Sequence, residues 1–188
     1  LIQRGTSALS IVPSVGLYCY PVVLPGLNGP GGRITLMVER KQLPASLNRV
    51  EISRSALRYH FEICRKMAGG AKLMPLVTAD GYGHGIIACA RAFAAEGAAA
   101  FGVAEACEGR LLREAGIKEP IYVLVGMMPE AIPEMLEQRL TPVVVDGSLL
   151  PELSSQAEKE GLEVGLHIKI DAGMGRQGCL PDEIPGIV

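Results

Sequence analysis

The sequence predicts an α/β fold in which a parallel sheet is covered by helices. Two observations carry this. Runs apolar on both faces, such as residues 120–125 (PIYVLV) and 141–145 (TPVVV), suit strands buried on both sides, which belong to parallel sheets. Amphipathic helices follow each run, and the strand and helix unit recurs every ~20 to 25 residues, which leaves room for right-handed crossovers. Order begins abruptly at Arg49, after Pro44 and Asn48, with the β-like run Val50, Glu51 and Ile52. Residues 55–67 then read as a helix, with Leu57, Phe61 and Cys64 on one stripe and Gly69 and Gly70 at its end, where glycine terminates helices. Residues 72–78 form a short apolar strand, 85–96 an Ala-rich helix, and 99–104 a strand containing Phe101 and Val103. The pattern continues with a helix over 105–115, the strand 120–125, a helix over 130–138, the strand 141–145, a helix over 149–159 and a fifth strand over 165–170 (GLHIKI). Such a series suits either an open doubly wound sheet or the first five units of an eight-unit barrel. Period does not separate them, and both put ligands at the carboxyl ends of the strands.

Residues 1–46 share neither periodicity and read as an irregular, poorly ordered N-terminal extension, leaving 47–188 as the domain. The apolar run from Leu9 to Leu27 follows Arg4 and imitates a signal peptide, but Pro13, Pro21 and Pro25 break it. No uninterrupted run reaches the ~20 apolar residues needed to span a membrane. With 18 basic and 20 acidic residues the net charge is −2, so no basic excess favours nucleic acid or anionic lipid. Five cysteines, Cys19, Cys64, Cys89, Cys107 and Cys179, contain no C-x-x-C pair. That argues against a disulfide framework or zinc ribbon and for a reduced, cytoplasmic chain.

Two loops carry chemistry. After the first strand comes Thr78, Ala79, Asp80, Gly81, Tyr82, Gly83, His84 and Gly85. Such glycines admit close approach of a ligand, and the helix that follows could hold an anion at its N-terminus. The loop matches neither the dinucleotide nor the Walker pattern. After the fifth strand, Lys169 and Asp171 share a strand face and Arg176 lies just beyond. They suit either orientation of a charged ligand or an internal ion pair. His60 and Cys64, four apart on a helix, lack a third ligand, so no metal site is expected. His84 reads as a loop-fixing donor, His167 and the pair Met127 and Met128 as packing, and residues 158–163 as a solvated helix end.

The succession VTADGYGHG (77–85), AFGVAE (100–105), PIYVLVG (120–126) and HIKIDAGMGRQG (167–178) resembles the N-terminal barrel of alanine racemases. RVEISRSALR (49–58) is similar to that family's opening strand and helix, so the resemblance runs from about Asn48 onward. Other relatives with this barrel, the pyridoxal-phosphate homeostasis proteins and basic amino-acid decarboxylases, are not similar at the GYGHG loop. The resemblance implies a (β/α)8 TIM-type barrel followed by a β domain, a homodimer with shared active sites, and interconversion of L- and D-alanine. It also implies pyridoxal 5'-phosphate bound as a Schiff base to a lysine.

That lysine falls on Thr78, whose hydroxyl cannot form the Schiff base and is too weak a base to take the α-proton. Lys72 lies six residues earlier, on the order of 20 Å along a strand, and cannot substitute. Tyr82 matches a tyrosine that contacts the cofactor phosphate, and Leu124 an apolar pocket residue. Lys169 matches a lysine carbamylated in many members, whose charge would orient Arg176. Arg176 matches the arginine reaching the cofactor's phenolic oxygen and the substrate, with Met174 also on the substrate side. The pattern departs at Ala172 and His60. The chain reaches Val188 with about five βα units, before the last three units and the β domain, so a fragment is expected. The reading is therefore an alanine-racemase-like chain not competent alone, and the alternative is a non-catalytic, pyridoxal-phosphate or phosphate-binding or regulatory pseudoenzyme, or a nonfunctional fragment.

Overall fold

The computed structural model describes the backbone of residues 2–5 and 8–11, and residues 51–187 with their side chains. Ile2–Gly5 (β1) and Ala8–Ile11 (β2) pair antiparallel, with Ile2 opposite Ile11. The rest of the expected extension over 1–46, including Pro13, Pro21, Pro25, Cys19 and most of the apolar run, lies outside the described residues, as does Val50.

Ser53 starts the first helix, Arg54–Met67 (α1), by accepting a hydrogen bond from Ala56 N on its hydroxyl at 3.2 Å. Leu57 and Phe61 are buried on its inner stripe, with Phe61 stacked on Phe93 at a ring separation of 5.5 Å. Arg58 pairs with Glu96 beside that contact. The remaining helices are Ile86–Ala95 (α2), Ala106–Glu114 (α3), Ile132–Glu137 (α4), Leu150–Glu160 (α5) and Ile184–Ile187 (α6). The helix expected over 130–138 opens as a 3-10 turn, Pro129–Ala131, before α4.

Four parallel strands, Phe101–Val103 (β3), Ile121–Val123 (β4), Thr141–Val144 (β5) and His167–Ile168 (β6), lie side by side in the order β3-β4-β5-β6. The segment before the glycine loop adds a fifth parallel neighbour through a bridge from Leu76 to Gly102. It is narrower than the strand expected over 72–78. Pro75 has no N–H to give, and only its carbonyl joins the ladder, accepting from Gly102 N at 3.0 Å. A doubly wound sheet reverses its strand order at a switch point, whereas these neighbours run strictly in chain order. The element order is therefore that of a barrel wall.

The two faces of this wall differ. Val77, Phe101, Val103, Ile121, Val123 and Val144 point to the helices and are fully buried. On the opposite face, Leu76, Tyr122, Leu124, Thr141, His167 and Lys169 are half-buried. Gly102 lies on that inner face, where a Cβ would sit 2.3 Å from Leu76 Cδ2 and 2.9 Å from Leu124 Cδ1. Its missing side chain is what lets those two leucines close over the wall. Among the described residues no helix is long and apolar enough to cross a membrane.

Candidate functional site

The carboxyl ends of the strands carry Thr78, Tyr82, Leu124, Lys169, Met174 and Arg176. Thr78 ends the extended segment and opens a turn, Thr78–Tyr82, that winds left-handed. Ala79 (φ 51°), Asp80 (φ 52°), Gly81 (φ 63°) and Tyr82 (φ 56°) follow one another in that region, and Gly83 (φ 84°) closes it. Three of these carry a Cβ, at a cost of roughly 1–2 kcal/mol each. Hydrogen bonds hold the turn in place: Gly81 N donates to Val77 O (2.9 Å), His84 N to Gly81 O (3.1 Å) and Gly85 N to Asp80 O (2.8 Å). His84 Nδ1 donates to Gly81 O at 3.0 Å, the loop-fixing role expected of it.

The helix N-terminus beyond this loop, where the sequence suggested an anion, receives a side chain of the protein at its first amide. Asp80 Oδ1 accepts from Ile86 N at 2.8 Å, so the protein's own carboxylate occupies the start of α2. Asp80 also lies near Cys89, whose thiol is pushed up to about 11 by burial first and by that carboxylate second.

Thr78 is half-buried, and its hydroxyl donates to Glu108 Oε1 at 3.1 Å. Tyr82 is 41% exposed at the crest of the left-handed turn. Leu124 leans over Gly102 just past β4. Lys169 follows β6, and its ammonium donates to Gln177 Oε1 at 3.1 Å, while Gln177 Nε2 donates to Val125 O. Gln177 thereby ties the loop after β6 back to the end of β4, next to Leu124. Arg176 is exposed in the same loop, and Met174 is 74% exposed at its tip.

Lys169 and Asp171 do not form the ion pair considered from sequence. Asp171 turns its carboxylate onto its own loop, accepting from Gly173 N at 2.9 Å. Backbone N–H groups of Gly175 and Gly173 hold its pKa below the usual carboxylate range. The loop can turn back so tightly because residue 178 is glycine (φ 127°): a Cβ there would lie 2.7 Å from Asp171 N. Two residues that matter here, Glu108 and Gln177, were missed by the sequence reading. A carboxylate in a helix's first turn signals local capping, but nothing in its spacing points to a partner about thirty residues away. Among the described residues no group of three or more His, Cys, Asp or Glu could hold a metal ion.

Residues 52–188 match the family model described as "Alanine racemase, N-terminal domain". The chain is 38% identical over 134 residues to alanine racemase of Desulforamulus reducens, covering 71% of this chain and 36% of that protein. It is 36% identical over 137 residues to alanine racemase of Carboxydothermus hydrogenoformans, covering 73% of this chain and 37% of that protein. Among solved structures it is similar to alanine racemase of Clostridium difficile 630, with a TM-score of 0.65 and 28% identity over 70% of this chain and 36% of that one. Alanine racemase of Streptomyces coelicolor A3(2) superposes with a TM-score of 0.63 and 33% identity over 71% of this chain and 37% of that one. The chain thus spans a little over a third of the length of these relatives.

Proposed function

Because this chain belongs to the alanine racemase N-terminal domain family, we propose that it is a racemase-type barrel wall whose reactive position, Thr78, no longer supports racemisation. The observation that carries this reading is Thr78 itself, at the head of the glycine loop with its hydroxyl bonded to Glu108. A hydroxyl has no amine to condense with an aldehyde, and at neutral pH it does not take an α-proton.

Pyridoxal 5'-phosphate is the cofactor the family implies, and when bound it supplies an electron sink for a carbanion. The residues present do not fit its covalent attachment at Thr78. At the start of α2, Ile86 N is already taken by the carboxylate of Asp80. What remains suits a small anionic ligand held without a covalent bond. Tyr82 offers a hydroxyl, Leu124 an apolar wall, and Lys169 and Arg176 two cations, with Met174 at the rim. Carbamylation of Lys169 would exchange its ammonium for a carbamate anion that keeps one N–H, enough to maintain the bond to Gln177 Oε1. Alanine as the amino acid recognised, homodimeric assembly and a cytoplasmic location follow from kinship with the racemases and belong to the same proposal.

The test is borohydride reduction after incubation with pyridoxal phosphate, followed by peptide mapping. The unaltered chain is expected to carry no stoichiometric pyridoxyl group, and a Thr78→Lys variant to gain one at position 78. A stoichiometric pyridoxyl lysine elsewhere in the unaltered chain, or racemisation of alanine by it, would overturn the reading.

A further inference from the structure

Glu108 stands in the first turn of α3, yet its carboxylate serves groups outside its helix. Oε1 accepts from Thr78 Oγ1 at 3.1 Å and from Ala79 N at 2.6 Å, and Oε2 accepts from Ala104 N at 2.8 Å. The sheet explains why those amides need it. Gly102 N donates to Pro75 O and Val77 N donates to Gly102 O, which makes one parallel rung. The next rung would join Ala104 N to Val77 O and Ala79 N to Ala104 O. That rung does not form: Val77 O instead accepts from Gly81 N as the left-handed turn begins, and Ala104 O from Val125 N. Two backbone N–H groups on adjacent strands are thus orphaned at the same level. Leaving such groups unpaired is costly, and both turn to one carboxylate.

We propose that Glu108 is a positioning residue that replaces the missing rung, fixing the backbone at position 78 against the end of β3. It sets where the left-handed turn departs from the sheet, and with it the direction in which the side chain at position 78 leaves the wall. The functional weight of that direction rests on the reading of position 78 as the site's reactive position. The hydrogen-bond assignment itself does not.

The experiment is a pH titration of the chain followed by 1H–15N NMR, with no cofactor present. The amide resonances of Ala79 and Ala104 are expected to move together, with the midpoint of the Glu108 side-chain carboxyl, and this shared movement should vanish in Glu108→Gln. Thr78→Val removes only the hydroxyl donor, so both amides should still titrate. In Glu108→Ala, exchange of both amides should accelerate about tenfold or more, the loss of a charge-assisted bond, while Leu112 in the same helix keeps its protection. Amides that titrate apart or not at all, or that still titrate in Glu108→Gln, would overturn the proposal. Equal loss of protection at Leu112 would do so too, since Glu108 would then merely hold its helix. The titration of the unaltered chain decides even if a variant fails to fold. A pyridoxyl lysine in the borohydride test would sink the functional reading and leave this assignment standing.

Discussion

Ala79, Asp80 and Tyr82 carry side chains in a backbone region that disfavours them, so the loop must be held by something stronger than its own preferences. Asp80 does much of this by accepting from Ile86 N six residues on. An N-cap acceptor replaced by alanine costs about 1 kcal/mol. Asp80→Ala should therefore lower the urea midpoint by a corresponding amount, while Asp80→Asn keeps most of the stability through its amide oxygen. Equal loss in both variants would mean that the negative charge at the helix start matters more than the hydrogen bond. The glycine spacing made a tight turn legible in the sequence. Its left-handed winding was not, because three of the residues in it are not glycine. Nor was the identity of the anion at the start of α2, where the protein's own aspartate stands in for a ligand.

At the scale of the element, strand and helix order agreed with the periodicity, and strand length did not. The segment over 72–78 pairs through a single bridge because a proline sits in it, and β6 is only His167–Ile168, though Lys169 N still donates to Val144 O. Alternation shows which side chains share a face, but the number of rungs depends on which carbonyls the loops claim first. Gly102 marks the tightest contact of the inner face. A methyl there would meet Leu76 Cδ2 at 2.3 Å and Leu124 Cδ1 at 2.9 Å. Both are ends of flexible side chains, so the leucines would rotate away and the fold would survive. Overpacking of this kind costs about 1–3 kcal/mol. Gly102→Ala is expected to lower the melting temperature accordingly, and Gly102→Ala combined with Leu124→Ala to recover part of the loss. No recovery in the double variant would place the strain at Leu76 or in the backbone instead.

Across the molecule, the helix-covered face of the wall is sealed and the inner face is half-buried. His167 belongs to the inner face, its ring edge-on to Tyr122 at a centroid separation of 4.7 Å across the intervening β5. Its Nδ1 is buried with no hydrogen-bond partner among the described residues. Burial holds the imidazole below the usual histidine range. The unfolded chain takes up a proton as pH falls through about 6.5, and the folded chain does so only at lower pH. Stability contributed by the neutral ring is therefore present above that window and lost as pH falls through it. The urea midpoint of the parent should fall between about pH 7.5 and about pH 5.5, and His167→Phe, which keeps a ring against Tyr122, should flatten that fall. An unchanged slope in the variant would move the pH dependence to other groups.

The sequence by itself determined the α/β class, the order of its units, the glycine loop with Thr78 at its head, and the family, since each is written in local pattern or in contiguous motifs. Only the tertiary structure decided which groups the loop's amides bond to. Where a parallel ladder stops, unpaired N–H groups take the nearest carboxylate in space, and Glu108, thirty residues from Thr78 along the chain, is near only because two strands lie side by side.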